Sequence, residues 1–144
     1  MSRLPVIDST VQKTHEWLGD IKARLGFDND HAAYAALRAV LHGLRDQLST
    51  DDVAHLGAEF PLLVRGIYYE SWNPAPAGAD KPAFLDSVGH ALREHPELRN
   101  TEHVARIVLA VLDLHIAKGQ SAKTVHALPR EIRALWPSAK SEAV

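Results

Sequence analysis

The sequence predicts an all-α protein: a helical bundle of two pseudo-repeated halves, each of about three to four helices, with no β-sheet. Three observations point there. Apolar residues recur at steps of three and four through most of the chain, which is the spacing of a buried helical stripe. Ser, Asp, Thr, Pro and Gly stand where these stripes begin and end. No segment carries strand alternation closed by a two-residue hairpin signal. A chain of 144 residues buries roughly 68–70% of its unfolded surface and folds without staples.

The stripes set the elements in order. Residues 1–9 are expected to form a loose lead-in. Val11, Leu18, Ile21 and Leu25 then predict a helix over about 10–25, with Gly26 as its stop. Asp30 is expected to cap a helix over 31–48, whose inner face reads Tyr34, Leu37, Leu41, Leu44 and Leu48. Arg38, His42 and Arg45 fall on its expected solvated side. Ser49, with acids following, caps a short helix carrying Val53 and Leu56. Pro61 starts the next, with Leu63, Val64, Ile67 and Tyr68 facing inward. Three prolines and a glycine make 73–82 a linker. Beyond it, Phe84, Leu85, Val88, Leu92 and His95 share a face until Pro96. Thr101 is expected to cap a helix over 102–118 that Gly119 ends, with His115 among its inward residues. Ser121 is expected to cap a short one. Pro129 starts the last helix, and residues 138–144 are expected to fray.

A single helical domain over 10–137 follows, with a first repeat at about 10–72 and a second at about 83–137. Phe60, Pro61, Val64, Arg65, Ile67 and Tyr68 align with Leu128, Pro129, Ile132, Arg133, Leu135 and Trp136. Upstream, Ala39-Val40-Leu41 aligns with Ala110-Val111-Leu112, and Ser49 and Val53 align with Ser121 and Val125. The serine lies 12 residues before its proline in the first half and 8 before it in the second. That difference is about one helical turn.

The segments LRAVLHGLRDQL and FPLLVRGIYYESW, with LPREIRALWP near the end, resemble the bacterial family called domain of unknown function 2267. The resemblance covers about 11–137. It implies an all-helical bundle, and it implies no established activity and no catalytic residues.

Composition narrows the function. The net charge is −2 with 16 basic and 18 acidic residues, so no nucleic-acid partner is expected. Residues 104–117 are too short and too polar to span a bilayer, and no membrane partner is expected. The absence of cysteine removes thiol catalysis and Cys-containing metal sites and suits a cytoplasmic location. Nine histidines invite a metal reading, but H-E-x-x-H and E-x-x-H are absent. Asp86, His90 and Glu94 share a helix face and read better as an exposed charged surface. Phosphate-loop, dinucleotide and nucleophile-elbow motifs are absent as well. No metal and no cofactor is expected.

Four residues remain as candidates. Arg65 and Arg133 hold equivalent repeat positions, either holding open helix carbonyls or acids as structural seats, or forming a paired anion site. Tyr69 and Trp72 end the aromatic segment before the linker and are candidates for a partner surface. The expected function is a non-enzymatic helical scaffold for protein–protein interaction or self-association. The alternative is a small anionic ligand-binding or catalytic bundle with its site between the halves.

Overall fold

The computed structural model describes residues 4–76 and 78–137, and all regular structure among them is helical. α1 (Pro5–Leu25) begins on a proline, whose fixed φ and missing N–H suit a first helical position. Residues 5–9, expected in a loose lead-in, are therefore helical. Residues 1–3 and 138–144, the outer parts of the expected flexible ends, lie outside the described residues. Gly26 closes α1 at a left-handed φ of 86°, its N–H on the Lys22 carbonyl.

Asn29 caps α2 (Asp30–Arg45), accepting the Ala32 N–H; Asp30, expected as the cap, is the first helical residue instead. Ser49 caps α3 (Thr50–Gly57) as its spacing predicts, and its hydroxyl donates to Asp52. α4 (Leu62–Tyr69) follows Pro61. The linker leads to α5 (Phe84–Ala91) and a 3-10 turn at Pro96–Leu98. α6 (Thr101–His115) takes Asn100 as its cap in place of Thr101, because the asparagine side chain reaches the His103 N–H.

The chain after α6 departs most from expectation. α6 stops at His115, where Ile116 turns extended and buries its side chain. α7 (Lys118–Ala127) then contains Gly119 in its first turn and Ser121 as a buried mid-helix residue. Gly119 is thus no stop and Ser121 no cap. The Ser121 hydroxyl donates to Asp113, which also accepts the Trp136 indole N–H at 2.9 Å. A polar side chain buried inside the bundle is satisfied there by an acid of α6. α8 (Arg130–Arg133) follows Pro129.

One continuous apolar cluster runs from Trp17 to Trp136. α2 lies at its centre against α1, α4, α5 and α6, and α6 packs on α1, α2 and α5. α3 packs on α7 and α4. Ten of the sixteen residues of α2 are buried, far more than one amphipathic stripe supplies. Gly43 makes the tightest approach: a methyl there would lie 3.1 Å from the Phe84 ring and from Val88. The missing side chain lets α5 settle on the α2 backbone.

Three expected core residues are exposed instead. Val11 and Leu63 lie at the open end where α1 meets α4, and Tyr34 lies near the start of α2. His95, also expected inward, is half-exposed and pairs with Glu97 at 3.1 Å. Arg45 is the converse: placed on a solvated face by periodicity, it is 6% exposed.

Candidate functional site

Arg65 and Arg133 each turn back on the segment before their own helix. Arg65 donates from Nε to the Gly57 carbonyl at 3.0 Å and from a terminal nitrogen to the Phe60 carbonyl at 3.1 Å. Arg133 donates to the Leu128 carbonyl at 3.1 Å. Both bonds to the residue before the proline span five positions, and the two prolines share backbone angles of φ −55°, ψ 151° and φ −57°, ψ 154°. A proline-started helix leaves carbonyls of the preceding turn without helical donors, and the guanidinium supplies them.

Tyr69 and Trp72 are half-buried against the core, their ring centroids 5.6 Å apart. Tyr69 also packs edge-on to Tyr68, and both rings crowd Gly57. Tyr68 is fully buried and donates its hydroxyl to the Val53 carbonyl at 2.9 Å. Burial pushes its phenol well above the ordinary range.

The C-terminal end of α4 sits on three basic residues of α2. His42 Nε2–H donates to the Ile67 carbonyl at 2.7 Å. Arg45 donates to the Tyr68 and Glu70 carbonyls, each at 2.9 Å. Arg38 pairs with the Glu70 carboxylate at 2.6 Å, and that bond holds Glu70 below the usual carboxylate range. Cations at the negative end of a helix are stabilising, and here another helix supplies them. Burial lowers the His42 imidazole, with the Arg45 and Arg38 charges adding to it against the Ile67 hydrogen bond. Ser71, next in the chain, takes a left-handed φ of 59°. The face that periodicity reads as solvated is therefore a seat for a helix end, with Arg45 buried in it and Arg38 at its exposed rim. Its spacing of four and three residues is visible in the sequence, while the helix end that covers it is not.

Of the concave regions among the described residues that are of a size to hold a ligand, two are walled by several separate segments of the chain. The larger, about 780 Å³, lies beneath the linker and against the α2–α3 turn, with Asp46, Asp51, Ser71 and Trp72 on its walls. Lys81 and Gln47 tie the linker down through the Gln47 and Pro82 carbonyls. The smaller, about 320 Å³, is lined by Lys13, Glu16, Trp17, Glu59, Pro61 and His115, among others. There His115 stacks on Trp17 at 4.8 Å and donates from Nε2 to Asp20 at 2.7 Å. Glu59 accepts the Ala117 N–H at 3.2 Å. The helical spacing places His115 inward, but nothing in it joins Asp20 and Glu59 to that residue. Neither Arg65 nor Arg133 lines either region. Among the described residues no cluster of three His, Asp or Glu can hold a metal ion, and no helix is long and apolar enough to cross a membrane.

With the all-helical packing and the two proline–arginine turns in place, a family model settles the kinship. It is described as uncharacterized conserved protein (DUF2267), and it matches residues 14–135. The chain belongs to the DUF2267 family. No curated protein matches the sequence. The stretch RGIYYESW, one basis of the resemblance, ends this DUF2267 domain's fourth helix on the Arg38–His42–Arg45 seat.

Proposed function

We propose that this DUF2267 protein is a non-enzymatic helical module that works by contact with another protein chain, its own or a different one. The carrying observation is an apolar end. Ile7 and Val11 of α1 and Leu62 and Leu63 of α4 are each 41% to 55% exposed. The Leu63 N–H donates to the Thr10 hydroxyl at 2.8 Å, which sets the start of α4 against α1 at that end. Leu4 and Val6 continue the surface, at 58% and 62% exposure. Clustered exposed apolar side chains favour a protein partner over water. Tyr69 and Trp72 are a second candidate contact, less exposed than this end.

The competing reading, a small anion held by Arg65 and Arg133, has less support because both guanidiniums donate to nearby carbonyls. The near-neutral charge balance speaks against nucleic acid, and the lack of cysteine favours the cytoplasm. We read the chain as an internal duplication as well. Exchanging α1 with α5 and α2 with α6 turns the α1–α6 contact into α5–α2, and both contacts occur. The matched proline–arginine turns support the same reading.

The test is an Ile7→Ser/Leu63→Ser double variant, with its fold checked by circular dichroism. Association is measured by light scattering over a concentration series and by crosslinking in a host lysate. The wild type should self-associate or crosslink to a defined protein, and the folded double variant should do neither. A variant that associates like the wild type places the contact elsewhere. A wild type that stays monomeric and captures nothing removes the reading.

A further inference from the structure

The smaller cleft, between α1, the end of α6 and the α3–α4 turn, is lined in part by a tryptophan whose N–H the described residues leave unused. Trp17 is 2% exposed, held edge-on to Phe60 at 5.7 Å and stacked on His115. Its indole N–H has no acceptor among the described residues. No buried side-chain nitrogen or oxygen there lacks a partner, so this nitrogen keeps contact with solvent. Trp17 is one of the residues that line the cleft. A buried indole usually finds a partner for its N–H; here the described residues supply none.

The surrounding groups define what it would meet. Lys13 and Glu16 stand on the exposed side of α1. Glu59 is oriented by the Ala117 N–H on one oxygen, which leaves its other oxygen available. Phe60 and Pro61 form an apolar wall. Two carboxylates against one lysine disfavour a simple anion, and the indole donor demands an acceptor. We propose that this cleft binds a small molecule or chain end that carries a primary ammonium beside a carboxylate or carbonyl oxygen. The ammonium sits between Glu16 and Glu59, and the oxygen takes the Trp17 N–H, with Lys13 adding charge where it is a carboxylate. A volume of about 320 Å³ lies at the small end of ligand sites. Two sources share this chemistry: a free amino acid and the N-terminus of a peptide. The proposal stands apart from the apolar contact proposed above.

The test is a titration of the full-length, isotope-labelled protein followed at its assigned tryptophan indole N–H signals. The probes are free L-amino acids, a tripeptide with a free N-terminus, the same tripeptide N-acetylated, and acetate. Each is taken to about 10 mM, well above the ~1 mM dissociation constant of a weak site. The Trp17 signal should move saturably with the amino acids or with the free tripeptide, and whichever moves it names the source. Acetate and the acetylated tripeptide should leave it in place. Glu16→Gln and Glu59→Gln, which keep shape and hydrogen bonding, should each weaken binding by about tenfold, the loss of one charge-assisted contact. A Trp17 signal unmoved by every probe, moved equally by acetate, or shifted equally in both variants overturns the proposal.

Discussion

Two glycines separate effects that look alike in a sequence. Gly66 lies inside α4 with nothing within 4 Å of the place a methyl would take, so Gly66→Ala should stabilise the protein by about 0.5–1 kcal/mol through backbone entropy alone. Gly57 ends α3, where the same methyl would stand 2.6 Å from the Tyr69 hydroxyl and 3.0 Å from both tyrosine rings. Overpacking there exceeds the gain in helix propensity, and Gly57→Ala should destabilise by about 1–2 kcal/mol. Urea melts of the two variants should therefore move in opposite directions. His42 makes a prediction of the same scale. Its imidazole is lowered in the fold from the ordinary value of 6.5, so below that value the unfolded chain binds more protons. Its contribution is full above about pH 6.5 and is lost as the pH falls towards the folded value. Stability measured between about pH 7 and pH 5 should fall less in His42→Gln than in the wild type.

At the scale of the element, α4 is a short helix held by others. Eight residues are too few to be stable alone. Its N-terminal side is held by the Thr10 hydroxyl and the Arg65 turn, and its C-terminal end by the α2 seat. Arg45→Met would leave the Tyr68 and Glu70 carbonyls without their donor and should cost about 2–4 kcal/mol. Arg38→Met removes only a pair in which both side chains are at least 40% exposed and should cost less than about 1 kcal/mol. Equal losses in thermal melts would show that the seat is not centred on Arg45. Helix identity was legible here from the Pro61 start and the Val64, Ile67 and Tyr68 stripe. The caps were legible to within a residue, as at Asn29 and Asn100, because neighbouring Asn, Asp and Thr all suit the position. Ser121 misled because a serine before an apolar pair reads as a cap, whereas a buried serine with an acid partner carries no local signature.

For the whole molecule, the continuous core predicts a single cooperative unit. α2 buries itself against α5 and α6 from beyond the linker, and Gly43 lies against Phe84 and Val88. A fragment covering residues 1–76 would expose that surface and should neither melt cooperatively nor give dispersed amide signals. A folded fragment would mean that this part of the chain is a domain in its own right.

The sequence by itself determined the helical class, the proline-started short helices and the family, since all of these rest on local periodicity, punctuation and motif. It also brought Arg65, Arg133, Tyr69 and Trp72 forward as candidates, and left their roles open. Only the tertiary structure decided which edges of those helices are covered. Tyr34 and Arg45 lie eleven residues apart on α2, about three turns, and so share one edge. The tyrosine is 42% exposed and the arginine 6%, because the end of α4 covers one end of that edge and nothing equivalent among the described residues covers the other. The same holds for the cleft, where Trp17, Glu59 and His115 meet from three separate segments. A helix period tells which residues share a face, and the partners that arrive from elsewhere in the chain decide whether that face is core, seat or surface.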